Sequence, residues 1–541
     1  MLRALTLLLL LTALPALAKP PRLTLFITVD AMGSDLLLRT RPRLKGGLKQ
    51  LIDSGAFYPY ARYEYAKPRT APGHTTLATG ANPWRHGIVD NRIIDRATGK
   101  PERVFPDAAH PVLEAPLSAD DVSPANLMAE TLADRLRLAT QEQGKAIALS
   151  GKARSAIPLA GRLGQAYWYD ETVGKFVTGT WYTKELPGWL KDFNAANPPQ
   201  AWFGKAWEPL LPRTEYVGED DRPYEGEYYG LGRAFPHPLT GGLPSPGPQA
   251  YSAFAISPLS MDLVVKAARA AIDGEGLGKD EVPDLLAVSF SATDRVFHQY
   301  GPNSWEMQDA MYRLDKAVGD LVALAEKAAG GRANLLVVLS ADHGGAAVPE
   351  HWAAEGMDAE RVDPTALSKG LTEALRAQFG GDITAIVEEL DVYLGGKTLE
   401  GGKVDGAAVR RAAAVWLSKQ PAVSLAVARD DLYTAPDVAG LVEPLRRGYY
   451  PGRSGDVLFV VKPFHVISAE PSGTNHGTPY GYDQLVPVIL AGKGVKPGTY
   501  PREIHPTDVA PTVAAALEMN LPASAEGEPR YEALAPPTAS R

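Results

Sequence analysis

Uninterrupted apolar runs alternate along this chain with stretches whose apolar residues recur every three or four positions. LTLFITV (23–29), KAIALS (145–150), PDLLAVSF (283–290) and NLLVVLS (334–340) have strand length and strand composition, and VLFVVK (457–462) and QLVPVILAG (484–492) continue the series. Between them, GGLKQLIDSG (46–55, stopped by Gly55), NLMAETLADRLRLATQEQG (126–144) and MQDAMYRLDKAVGDLVALAEKAAG (307–330) carry the helical period. Strands alternating with helices predict an α/β fold around a central, largely parallel sheet.

Two segments break the alternation. Residues 166–255 are rich in Tyr, Trp, Pro and Gly, and residues 350–455 carry helical stretches such as AAVRRAAAVWLSK. Both are expected as inserted cap segments of a single domain spanning 19–541. Residues 1–18, MLRALTLLLLLTALPALA, have the layout of a secretory signal peptide cut after Ala18, and the apolar run is too short to span a bilayer comfortably. Together with the absence of any later membrane-length stretch, this predicts a periplasmic or secreted protein with no membrane partner. The chain contains no cysteine, so packing and metals, not disulfides, must hold it. A net charge of −8 argues against nucleic acid as a dedicated partner.

The chemistry lies at the carboxyl ends of the apolar runs, where parallel sheets bind ligands. Asp30 follows TLFITV, Asp294 and His298 follow LLAVSF, Asp342 and His343 follow LLVVLS, and His476 sits in GTNHGTPYG. Any one of these has an ordinary structural explanation, such as a helix cap or a satisfied histidine. Their recurrence at strand ends with zinc-type donors points to a hydrolytic metal site. Thr70 precedes Ala-Pro-Gly, the start of a helix, where free amides attract a phosphate-like anion; on its own it reads as an N-cap. Lys152 and Arg154, one residue apart after KAIALS, would share a face of an extended segment and form a phosphate clamp. Asn91 offers an amide. His110, His237, His351, His465 and His505 lack a carboxylate at suggestive spacing and are assigned no role, while His74 and His86 are expected to brace loops.

The segments TVDAM, TAPGHTTLATG…HGIVDN, SGKARSA, SATDRVFHQYGPNS, SADHGG, RSGDV and GTNHGTPYGYDQLVPVILAG together resemble the alkaline phosphatase superfamily. Within it the chain is most similar to the PafA-type bacterial alkaline phosphatases with a threonine nucleophile, relatives of the nucleotide pyrophosphatase/phosphodiesterases. The resemblance implies an alkaline-phosphatase-like three-layer sandwich and two zinc ions per chain, about 4 Å apart as in other two-metal hydrolases. It assigns one zinc to Asp294, His298 and His476, and the other to Asp30, Asp342, His343 and Thr70. Thr70 would attack phosphorus and form a phosphothreonine, with one zinc stabilising the leaving oxygen and Asn91 binding the phosphoryl group. Lys152 and Arg154 match the pair that holds a dianionic phosphoryl group, although Gly151 and Ala153 depart from the pattern around it. The implied partners are small-molecule phosphate monoesters, and the implied assembly is a monomer. The rival readings are a phosphodiesterase or nucleotide pyrophosphatase on the same site, and an inactive extracellular binding protein. A sulfatase is disfavoured because threonine replaces its matured Cys or Ser and the motif arginine is missing.

Overall fold

The computed structural model describes residues 19–118 and 122–535. The segment read as a signal peptide lies outside the described residues. The main sheet has nine strands in the order Gly498–Thr499, Ala56–Arg62, Leu485–Gly492, Leu335–Ala341, Leu23–Val29, Asp284–Phe290, Ala146–Ser150, Gln165–Asp170 and Lys175–Val177. Five of them, from Leu335–Ala341 to Gln165–Asp170, run parallel. Leu485–Gly492 is antiparallel to both its neighbours. Every residue of Leu23–Val29, Asp284–Phe290 and Leu335–Ala341 is buried, which is why these runs read as continuously apolar. The long helix Trp305–Ala328 packs on Gly47–Ser54 and Leu259–Glu275, while Thr70–Thr79, Leu132–Ala139 and Ala153–Ala160 form a second packed group. The result is a three-layer α/β sandwich.

The structure departs from the sequence reading in three places. The helix expected over 126–144 is confined to Leu132–Ala139. Thr131 and Asp134 form a reciprocal capping box that fixes its start, and Gln141 and Glu142 end it in left-handed conformations. Strand Val457–Val461 joins no strand of the main sheet. It belongs to a four-stranded antiparallel sheet in the order Thr384–Glu388, Asp391–Gly395, Val457–Val461 and Val423–Ala428, covered by helices Pro364–Phe379 and Gly406–Leu417 around a core of its own. The start of the aromatic segment 166–255 is not cap: residues 165–177 supply the last two strands at one end of the main sheet, with Tyr167, Trp168 and Tyr169 buried.

Candidate active site

The parallel strands deliver their carboxylates to one place. Asp30 follows Leu23–Val29, and its N–H donates to the Phe290 carbonyl at 3.0 Å. The next residue, Ala31, takes a left-handed φ of 61°, unusual for a residue with a Cβ, and donates its N–H to Asp342 Oδ1 at 3.1 Å. Asp294 lies in the first turn of helix Ala292–Tyr300 with His298 one turn on, so both project from one side, His298 Nε2 lying 3.3 Å from Asp294 Oδ1. His476 Nε2 approaches the same oxygen at 3.6 Å, and its ring stacks on His343 at 3.6 Å between centroids. His343 Nε2 lies 3.3 Å from Asp30 Oδ1, 3.6 Å from Asp342 Oδ2 and 3.9 Å from Asp294 Oδ1. Two donor groups result, Asp294–His298–His476 and Asp30–Asp294–His343, with Asp294 common to both. Asp342 adjoins the second group and also meets His74 Nδ1 at 3.1 Å.

The orientation of the imidazoles decides what these groups can hold. In His298, His343 and His476 the Nδ1 atom faces a backbone carbonyl, that of Thr474 at 3.0 Å, Gly344 at 2.8 Å and Pro68 at 3.2 Å. A carbonyl only accepts, so each Nδ1 carries the proton and Nε2 is turned to the carboxylates. Burial pushes His298 and His476 towards the neutral form, and His476 is pushed furthest, with charge on His343 adding to the effect. Their Nε2 lone pairs therefore point at carboxylate oxygens, acceptor facing acceptor, an arrangement that a cation between them resolves.

The carboxylates agree. Asp30, Asp294 and Asp342 are at most 2% exposed, and Asp30 Oδ1, Asp294 Oδ1, Asp342 Oδ2 and His343 Nε2 have no hydrogen-bond partner among the described residues. Lys152 donates to Asp30 Oδ2 at 2.6 Å and to Asp294 Oδ2. Burial pushes Asp342 well above the usual carboxylate range, with the charge of Asp30 next in size. Burial also acts on Asp30 and Asp294, but Lys152 and the histidines hold both below that range. His343 moves up to about 9, because the carboxylates, Asp342 foremost, outweigh its own burial. The cluster is thus balanced by Lys152 together with the protons held on Asp342 and His343, protons that a bound divalent ion would displace.

Thr70 is the first residue of helix Thr70–Thr79, and the cap position belongs to Arg69. The reading of Thr70 as the N-cap is thereby corrected by one position. Its Oγ1 is buried with no hydrogen-bond partner among the described residues, so the hydroxyl caps none of the described helix amides. The Asn91 side-chain oxygen accepts from the Ala71 N–H at 2.8 Å, which leaves the Asn91 amide N–H groups for another acceptor. Lys152 is the extended N-cap of helix Ala153–Ala160, and Arg154 lies inside its first turn, so the pair does not sit on one extended segment as expected. Both nevertheless line one open cleft of about 990 Å³ with Asn91, Asp294 and His298, and Tyr228, Tyr229 and Glu389, from the segments expected as insertions, line it too.

Several residues of the site escaped the sequence reading. Asp483 Oδ2 accepts from the Gly477 and Thr478 amides and the Thr478 hydroxyl at 2.6–3.0 Å, fixing the His476 loop; its signal was GYDQ, seven residues downstream. Arg69 donates to the His476 carbonyl at 2.7 Å. His74, expected to brace a loop, bridges the Thr70 carbonyl and the Ser289 hydroxyl, both at 2.8 Å.

A model of the family described as type I phosphodiesterase/nucleotide pyrophosphatase matches residues 24–483. The chain belongs to that family. Within it, the chain is 33% identical over 525 residues to alkaline phosphatase PafA of Elizabethkingia meningoseptica, covering 95% of this chain and 94% of that protein. It is 32% identical to alkaline phosphatase PhoV of Synechococcus elongatus, covering 95% and 93%. The crystal structure of wild-type PafA superposes with a TM-score of 0.88 over 96% of this chain and all of that one, at 32% identity. The phosphodiesterase-family fold thus extends over nearly the whole chain, and a metal cofactor goes with these relatives and with the donor groups. Among the described residues no helix is long and apolar enough to cross a membrane.

Proposed function

We propose that this protein is a secreted alkaline phosphatase that releases inorganic phosphate from a broad range of phosphate monoesters through a phosphothreonine at Thr70. The observation that carries the reading is the Thr70 hydroxyl: buried and without a hydrogen-bond partner among the described residues, it belongs to the first residue of a helix whose next amide, that of Ala71, holds the side chain of Asn91, a residue of the cleft that Lys152 and Arg154 also line. Two zinc ions fit the donors, one at Asp294, His298 and His476, the other at Asp30, Asp342, His343 and Thr70. When bound they supply the charge that makes a threonine hydroxyl a nucleophile and that steadies a departing alkoxide.

In the first half-reaction Thr70 Oγ1 forms a bond to phosphorus as the ester P–O bond breaks, and the alcohol departs. Water then attacks the phosphothreonine, breaks the P–Oγ1 bond and releases phosphate. Asn91 donates its amide to a non-bridging oxygen throughout, held in aim by its bond from Ala71. With Asp30 and Asp294 engaged by bound metal, the Lys152 ammonium would be available to the phosphoryl oxygens. Arg154 adds a planar fork suited to two of them. A monoester brings two negative charges to this pair, whereas a diester brings one. The open cleft accommodates varied leaving groups, and its breadth favours a diesterase as the second reading.

Hydrolysis of p-nitrophenyl phosphate against its bis-ester separates the two readings. A higher kcat/KM for the monoester is expected, and preference for the bis-ester overturns the proposal. An unchanged rate in Thr70→Ala would defeat the nucleophile assignment, and a wild-type protein that stays inactive when zinc is added would revive a binding protein without catalysis.

A further inference from the structure

The inserted four-stranded sheet reaches the catalytic centre at one hairpin. Strands Thr384–Glu388 and Asp391–Gly395 are joined by a two-residue turn whose first residue, Glu389, has a φ of 53°. Such turns place glycine there, because a side chain at positive φ is strained. Strain kept at a charged residue whose side chain is only 19% exposed asks what the carboxylate does.

It holds Arg69. Glu389 Oε2 accepts from Arg69 Nη2, and Asn475 Nδ2 lies 3.5 Å from the same oxygen. The same Arg69 nitrogen donates to the His476 carbonyl, and Arg69 is the residue that enters the Thr70 helix. A parallel link runs beside it. Lys67 binds Asp391 of the same hairpin and lies 3.2 Å from Asp90, whose other oxygen accepts from the Asn91 N–H at 2.7 Å. One turn of the insertion therefore connects through two buried cations to the segments bearing Thr70, Asn91 and His476.

We propose that Glu389 is a positioning residue for phosphoryl transfer: by orienting Arg69 it sets the approach of the Thr70 helix to the His476 loop. The inference rests on the reading of Thr70 as nucleophile. A displacement of about 1 Å between reacting groups lowers a rate by up to about a hundredfold.

The test compares Glu389→Gln, Glu389→Asp and Glu389→Gly in the metal-loaded full-length enzyme, with kcat and KM for p-nitrophenyl phosphate, metal content and melting temperature. Glycine relieves the turn and so offsets part of the cost of leaving Arg69 without its carboxylate; Glu389→Gly should stay folded and metal-loaded at the assay temperature while its kcat falls at least about tenfold. Glu389→Asp should recover part of the rate. In Arg69→Lys the further loss on adding Glu389→Gln should vanish, since the carboxylate acts through the guanidinium. Wild-type kcat in Glu389→Gly, or independent multiplication of the two losses, overturns the proposal; if Arg69→Lys fails to fold, the three Glu389 variants decide alone. Thr70→Ala keeps the two readings apart: full activity there defeats the nucleophile assignment whatever Glu389 does.

Discussion

Arg154→Ala is the sharpest perturbation of substrate class, and it is cleaner than Lys152→Ala. Lys152 touches two carboxylates of the metal-binding groups, so its loss would disturb metal binding as well. Arg154 lines the cleft from the first turn of its helix, and its Nε has no hydrogen-bond partner among the described residues. One charge-assisted hydrogen bond contributes about 1.5–3 kcal/mol. The Coulomb gain of one extra substrate charge at 4 Å is about 4 kcal/mol at an effective dielectric of 20, and less in an open cleft. Taking about 3 kcal/mol for the dianion, kcat/KM for p-nitrophenyl phosphate should fall about a hundredfold. The bis-ester carries half the charge and should lose roughly tenfold or less, so the ratio of monoester to diester activity falls by about ten. Arg154→Lys should recover less than half of the lost free energy, because an ammonium lacks the fork. Steady-state kinetics on both esters, at matched metal content, read this directly. Equal loss on both substrates, or none on the monoester, would refute the clamp.

Stripping metal with a chelator should abolish activity and lower the melting temperature by at least several degrees, since a ligand at a thousand times its Kd stabilises by about 4 kcal/mol; unchanged melting of fully stripped protein contradicts the donor-set argument. Reloading should tighten from pH 6 to pH 9, because below about 9 a metal at His343 must displace a proton, and calorimetry at the two pH values would expose a flat profile. Gly73→Ala should cost most of the activity, since a Cβ there would stand 2.2 Å from the Asp342 carbonyl and push the Thr70 helix off the metal-binding loop; wild-type kcat would show that the helix can yield. Glu225, buried and next to Glu306, is pushed up to about 9, so its folded pKa lies above its unfolded one and its stabilising protonation is lost as pH rises from about 4.5 to 9. Glu225→Gln should therefore raise the melting temperature at pH 9 and leave it nearly unchanged at pH 4; an equal shift at both would exclude ionisation as the cause.

What the sequence disclosed follows physical lines. A strand buried on both faces must be continuously apolar, so the central strands stood out, and the polar residues that follow them, Asp30, Asp294, Asp342 and His343, were singled out by position. VLFVVK had the same appearance, because the core of a second sheet is equally apolar and burial carries no label of which sheet supplies it. The strand Gln165–Asp170, next to the sheet edge, was hidden by aromatic residues that resemble a cap. Local signals also misplaced Thr70 and the Lys152–Arg154 pair, where one residue separates an N-cap from the first helical turn. Arg69, Glu389 and Asp483 act through partners that only folding brings near, Glu389 lying 320 positions from Arg69, and no spacing rule reaches that far.

The imidazole orientations bind these observations into one argument about charge. Backbone carbonyls fix the Nδ1 protons of His298, His343 and His476, so the proton state of the remaining nitrogens is set by what lies between them and the carboxylates. At His298 and His476 burial removes the second proton, and an acceptor is left facing Asp294 Oδ1. At His343 the carboxylates retain it, and the ring carries the charge that Asp30 and Asp342 lack. Lys152 provides the rest of the neutralisation that the fold itself contains. A divalent cation held by these donors would compete with the His343 proton and with Lys152 for Asp30 and Asp294. On the proposed function, metal binding and readiness for a dianionic substrate would then be coupled electrostatically, because an ammonium released from the carboxylates would be available to a phosphoryl group.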